Sequence, residues 1–220
     1  MALCRLLQLV SPNLPTGAFS YSQGIECAVE DGWIKDDKDS YDWIHGVMSN
    51  SMAYVDVPLY FRLYDAWSDE DDVRIKQYNQ MVLACRESRE LNDEDQHTAL
   101  ALIRLLKTLH PDEVTRFETF KPLAFLTVYA FVAQYWQIPR REGAQGYLWS
   151  WCENQILAAT KLVPLGQSAA QAVLYKLANN IPGVIDAADQ LDEHGIGASL
   201  PGLALASGRH EHMYCRLFSS

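Results

Sequence analysis

The chain lacks the cysteine patterns that staple or metallate small proteins. Its five cysteines, Cys4, Cys27, Cys85, Cys152 and Cys215, are odd in number, scattered, and contain no C-x-x-C pair. That excludes a disulfide framework or a zinc knuckle and suits a reducing compartment. Basic runs are also missing. With 18 Lys+Arg against 28 Asp+Glu, the net charge is −10, which repels phosphate backbones and argues against nucleic acid. A basic protein or a cation is easier to accommodate. The apolar stretch before Ser11-Pro12 is too short for a signal peptide. The most apolar run, Pro122 to Ile138, is interrupted by Thr127, Gln134 and Gln137 and reads as a buried helix rather than a membrane span. The expected location is the cytoplasm, without membrane attachment.

Catalytic signatures are absent as well. No P-loop, G-x-S-x-G elbow or H-E-x-x-H pair occurs. The acidic runs Asp69–Asp72 and Asp93-Glu94-Asp95 lack calcium-loop spacing and read as solvated helix starts. A helical metal-carboxylate enzyme needs Glu-x-x-His pairs on facing helices. Glu94 and His97 supply one such pair without a partner.

Strand signals are missing too: no Asn-Gly or Asp-Gly turn lies between alternating runs. What is present is helical period. At 220 residues with 49% hydrophobic content, the chain can bury roughly 70% of its unfolded surface without a metal or disulfide. From Tyr41 to Trp67, apolar residues step by three and four through Ile44, Met48, Met52, Val55, Leu59 and Leu63. Pro58 is expected to kink or divide that helix. Further helices are expected at 73–90, 92–109, 120–136, 142–161, 164–179 and 182–191, with a last one opening at Pro201 and running to about Phe218. The nearly all-apolar 120–136 segment suits a central buried helix. The fold class is therefore all-α, a single-domain bundle of about eight to ten helices.

In Ser11-Pro12-Asn13-Leu14-Pro15-Thr16-Gly17-Ala18-Phe19-Ser20-Tyr21-Ser22-Gln23-Gly24-Ile25-Glu26, the prolines hold the chain extended. Gly17 permits a turn, and Ser20 and Ser22 can cap a helix starting near Tyr21. Arg86 and Glu90 stand four apart and read either as a solvated ion pair or as an interface patch. His210 and His212 would point about 200° apart on a helix, so they cannot share one ion. His212 and Cys215 could share one, but two ligands make a weak site.

These blocks carry a resemblance. The string from Ser11 to Glu26, continued by Ala28-Val29-Glu30-Asp31-Gly32-Trp33, resembles the N-terminal pattern of the UreF family of urease accessory proteins. Val57-Pro58-Leu59, Ala84-Cys85-Arg86-Glu87-Ser88-Arg89-Glu90-Leu91 and Lys161-Leu162-Val163-Pro164-Leu165-Gly166-Gln167 follow in the family's order. The ending, Ser207-Gly208-Arg209-His210-Glu211 with Tyr214-Cys215-Arg216-Leu217-Phe218, is similar to the family's, though His212, Met213, Cys215 and Ser219 depart from it, as Ala18 does in the N-terminal block, where glycine is commoner.

The resemblance implies a dimeric helical protein with no catalytic centre or cofactor. It would bind the accessory protein UreD/UreH, form with it a platform for the GTPase UreG, and assist nickel delivery to apo-urease. On that basis residues 209–220, with Arg209, His210, Glu211, Tyr214, Arg216, Leu217 and Phe218, are expected to dock UreD/UreH. Gln23, Glu26, Lys161 and Gln167 are expected to contribute to the surface read by UreG. A rival role for the same groups is intramolecular, holding helix ends together. The alternative functions are a helical metal-carboxylate enzyme and a chaperone that binds nickel directly.

Overall fold

The computed structural model describes residues 1–220 and is helical throughout, with no strand. The α-helices are α1 (Ala2–Leu9), α2 (Ile25–Glu30), α3 (Asp37–Val47), α4 (Asp56–Ser68), α5 (Asp72–Ala84), α6 (Arg89–Leu109), α7 (Phe125–Tyr135), α8 (Arg140–Leu162), α9 (Gln167–Asp189) and α10 (Pro201–His210). The 3₁₀ segment Pro111–Phe120 makes an eleventh helical element, one above the upper end of the expected number.

The centre is α7. Every residue from Leu126 to Ala133 is buried, because α4, α5, α6 and α8 all pack against it. An apolar surface on all sides has no stable place except inside such a ring. Its two buried hydroxyls are satisfied: Thr127 Oγ1 donates to Asn79 Oδ1 at 2.8 Å, the Asn79 amide donates to the Pro122 carbonyl at 2.8 Å, and the Tyr129 hydroxyl donates to the Gly143 carbonyl at 2.9 Å. Around this centre, α8 and α9 pack along each other, and α3 covers α9.

Several boundaries differ from the sequence reading. The helix beginning near Tyr41 divides before Pro58, through a π-helical turn at Met48–Met52. Pro58 falls in the first turn of α4, where its missing N–H leaves no bond unmade. By contrast, Pro182 does not separate two helices: α9 runs through it. Pro182 is solvent-exposed, and the buried stripe Val173, Leu177, Ile181, Val184, Ile185, Ala188 continues on both sides of it. Packing holds the helix together where one outward-facing bond is lost.

At the N-terminus, α1 forms a short amphipathic helix against α8 that was not anticipated. A side chain at Gly146 would stand 2.6 Å from Leu6 and 2.7 Å from Val10, so α1 seats only because Gly146 has none. Finally, α10 stops at His210 rather than near Phe218, for reasons that lie in the site.

Candidate functional site

The chain from Ser11 to Glu26 and the chain after α10 fold onto each other. Gly17 takes a left-handed turn (φ 77°) into a 3₁₀ turn at Ala18–Ser20. Gln23 (φ 52°) and Gly24 (φ 84°) follow, also left-handed. Gly24 brings its backbone close to α10, since a Cβ there would be 3.2 Å from the Ala206 Cβ. This turn delays α2 to Ile25, four residues after the expected start, while Ser22 Oγ still accepts from the Glu26 amide at 3.4 Å. Glu26 is thereby placed in the first turn of α2 and faces α10.

Three donors converge on Glu26. The amides of Leu217 and Phe218 donate to its two oxygens at 2.6 and 2.9 Å, and His210 Nε2 lies 3.1 Å from Oε2. His210 is fully buried, and its Nδ1 is 2.7 Å from Glu90 Oε2. Both ring nitrogens face carboxylate oxygens. Both bonds therefore form only when the ring carries two protons or one carboxyl carries a proton. Arg216 Nη1 reaches the other oxygen of Glu90 at 2.5 Å.

Glu211 Oε1 accepts the amides of Arg89 and Glu90 at 3.0 and 3.4 Å, so it caps α6 together with Ser88. Arg209 pairs with Asp31 at 2.6 Å. Ser22 donates to the Ser220 carbonyl from both its amide (2.8 Å) and its hydroxyl (2.5 Å), and the Ser220 hydroxyl donates to Glu94 at 2.9 Å. These partners, on α2 and α6, pull the chain out of helical register after His210.

The expected partner-binding residues divide accordingly. Glu26, His210 and Phe218 are buried, and Gln23 and Glu211 are half-buried. Lys161, Gln167, Arg209, Tyr214, Arg216 and Leu217 are exposed, Tyr214 completely. Lys161 Nζ lies over the Phe218 ring, 5.1 Å from its centroid, which ties the end of α8 to the tail. Gln167 opens α9 outside this network. Gln23 faces inward and bridges Trp151 Nε1 and Glu94 Oε1, each at 2.7 Å.

A second polar centre lies beside the first, and it corrects two expectations. Arg86 does not share a helical face with Glu90. It sits before α6, turned inward, 2.9 Å from Asp56 Oδ1 and 2.5 Å from Asp95 Oδ2. Tyr147 donates to Asp56 at 3.0 Å, and Asp95 accepts the Phe125 amide. The run Asp93-Glu94-Asp95 is likewise not a solvated helix start, because Glu94 and Asp95 are 7% and 6% exposed. The signal that marks them is spacing: Glu94, Thr98, Leu102 and Leu106 step by four down the buried face of α6. Burial pushes the Glu94 carboxyl up to about 7, and hydrogen bonds from Gln23 and Ser220 oppose this.

Between α1, the N-terminal loop and α8 lies a cavity of about 150 Å³. Glu94 and Gln23 are at its inner wall, and a smaller cavity of about 100 Å³ lies behind them toward Arg86. The smaller cavity is also lined by Cys85, whose thiol is raised by burial and by the nearby Asp56 and Glu87. Cys152, fully buried, is held protonated, pushed up to about 12 by burial. No three His, Cys, Asp or Glu side chains form a metal-ligand group. No helix is long and apolar enough to cross a membrane.

Comparison with known proteins adds a family. The UreF family model matches residues 34–178. The urease accessory protein UreF of Alkalilimnicola ehrlichii is 43% identical over all of this chain and 96% of its own. That of Hahella chejuensis is 42% identical over all of this chain and 99% of its own. That of Pseudomonas putida is 43% identical over all of this chain and 98% of its own.

Proposed function

The chain belongs to the UreF family of urease accessory proteins, and from that premise we propose that it acts in the cytoplasm as a non-catalytic scaffold in urease maturation. In this reading it forms a dimer, binds UreD/UreH, and with it recruits the GTPase UreG so that nickel reaches apo-urease. The observation that supports it is the tail. Residues 209–220 are fixed by carboxylates of α2 and α6, yet Tyr214 and Leu217 project into solvent at 107% and 64% exposure. Ordered backbone carrying exposed apolar side chains is a surface prepared for a partner.

The buried members of the expected set then act through position. Glu26 and His210 hold the tail in shape, while Tyr214, Leu217, Arg209 and Arg216 meet UreD/UreH. Lys161 and Gln167, exposed at the α8–α9 junction, contribute to the surface read by UreG, with Gln23 and Glu26 setting the shape of its N-terminal side.

The test is the pair Tyr214→Ala and Leu217→Ala, made together and co-expressed with the other accessory proteins. Retained melting temperature with loss of UreD/UreH co-purification and of urease activation is the expected result. Full co-purification would exclude the tail as the docking element. The matching test of UreG recognition is Lys161→Ala with Gln167→Ala, in which UreD/UreH binding stays and UreG recruitment falls.

A further inference from the structure

The buried acids of this protein are not treated alike. Asp56 and Asp95 share Arg86, Glu26 and Glu90 share His210, and Glu90 also has Arg216. Two acids on the wall of the larger cavity, Glu94 and Glu153, form no salt bridge, and the cation that acts on Glu94, Arg86, is engaged by Asp56 and Asp95. Glu94 receives only neutral donors, Gln23 and Ser220. Glu153, half-buried, makes no hydrogen bond, and burial raises its carboxyl above the usual range. Carboxylates withdrawn from water without a paired counter-charge are costly, and the hydrogen bonds from Gln23 and Ser220 offset that cost at Glu94 only in part.

The remaining wall is apolar. Leu9, Leu14, Phe125 and Tyr129 line the inside, and Phe19 and Leu157, 59% and 42% exposed, stand at the rim. Cavities of roughly 150 Å³ admit a benzene-sized group. An alkyl stem ending in a cation matches this lining, with the stem against the apolar walls and the charged head at the two acids. The exposed apolar rim of Phe19 and Leu157 suits a protein surface better than a free small molecule.

We infer that the cavity between α1, the N-terminal loop and α8 is a receptor for the cationic side chain of a partner protein, with Glu94 and Glu153 as its counter-charges. The inference does not depend on which protein carries that side chain, nor on the docking role of the tail. The charged and titratable groups around Glu94 are Asp95 on its own helix, Cys85, Arg86 and Glu87 before that helix, Asp56 of α4, Tyr21 of the N-terminal loop, and Tyr147 and Glu153 of α8. The Glu94 carboxyl itself is placed near 7.

The experiment titrates the full chain with N-acetyl-arginine amide and, separately, with the uncharged N-acetyl-norleucine amide. Binding is followed by calorimetry and by the fluorescence of Trp151 in a variant with the other tryptophans replaced by phenylalanine. The arginine probe is always charged, so its affinity should rise about ten-fold from pH 6 to pH 8 as Glu94 ionises, while the norleucine probe should bind more weakly and without pH dependence. Glu94→Gln should remove the pH dependence. Glu153→Arg, which places a cation of the chain's own at the rim, should abolish binding of the arginine probe. Both variants are checked for folding by circular dichroism, and calorimetry on the unmodified chain stands if the tryptophan-depleted variant unfolds. Equal binding of the two probes, no binding of the arginine probe, or binding unaffected by Glu153→Arg would each overturn the inference.

Discussion

Glu26, the second residue of α2, and His210, the last residue of α10, meet at 3.1 Å although 184 positions separate them in sequence. Their contact closes the chain on itself. One carboxylate accepts two backbone amides and faces a buried imidazole, so it decides whether the tail has a shape.

Glu26→Ala should therefore cost about 3 kcal/mol of stability, because it strands a buried ring and two amides. Urea unfolding measures the loss. Hydrogen exchange should accelerate at Leu217 and Phe218 before it does so in α7.

Arg86→Leu should be at least as damaging, about 3–5 kcal/mol, since Asp56 and Asp95 would remain buried without a cation. Arg86→Lys should recover only part of this, because an ammonium cannot present two N–H groups to two carboxylates in a fixed plane. The melting temperatures of the two variants check the order.

Glu94 predicts a pH dependence of stability. Its carboxyl lies near 7 in the folded chain against 4.5 for the free group. The folded state therefore binds more protons than the unfolded state between these values. Glu94's contribution is complete below about 4.5, falls as pH rises through 7, and is gone above that, on the order of 3 kcal/mol in all. Urea unfolding from pH 5 to pH 8 should show this decline, and Glu94→Gln should flatten it.

Gly146→Val should displace α1. The new side chain meets Leu6 and Val10 below contact distance, and overpacking of this kind costs about 1–3 kcal/mol. Limited proteolysis should then cut between α1 and Gly17 while the remaining helices resist.

The helical bundle could be read from spacing alone, because Ile44, Met48 and Met52, or the unbroken apolar run of α7, obey the period that burial imposes. Chain ends of helices were less legible. Pro182 looks like a breaker, and only the packing of Ile181 and Ile185 on either side shows why it does not break α9. The polar centre was hidden for a different reason. Arg86, Glu94 and Asp95 look like surface residues by type, and what places them inside is pairing with Asp56, Gln23 and Ser220, residues far away in sequence. The tail's involvement was visible in the family's motif, whereas its attachment to Glu26 and Glu90 depends on tertiary distances that no local pattern encodes.

The closure of residues 20–26 by residues 207–220 also has a consequence in time. A chain is made from its N-terminal end, and early segments begin to fold before late ones exist. Helices α2 and α6 are synthesised well before the groups that complete them, so Glu26 waits for His210, and Glu90 for His210 and Arg216, until the end of α10 and the segment beyond it have emerged. A chain that stops short of the tail thus lacks the contacts that Leu217, Phe218 and Ser220 make with Glu26, Ser22 and Glu94, and the N-terminal loop is closed only once synthesis has run past Phe218.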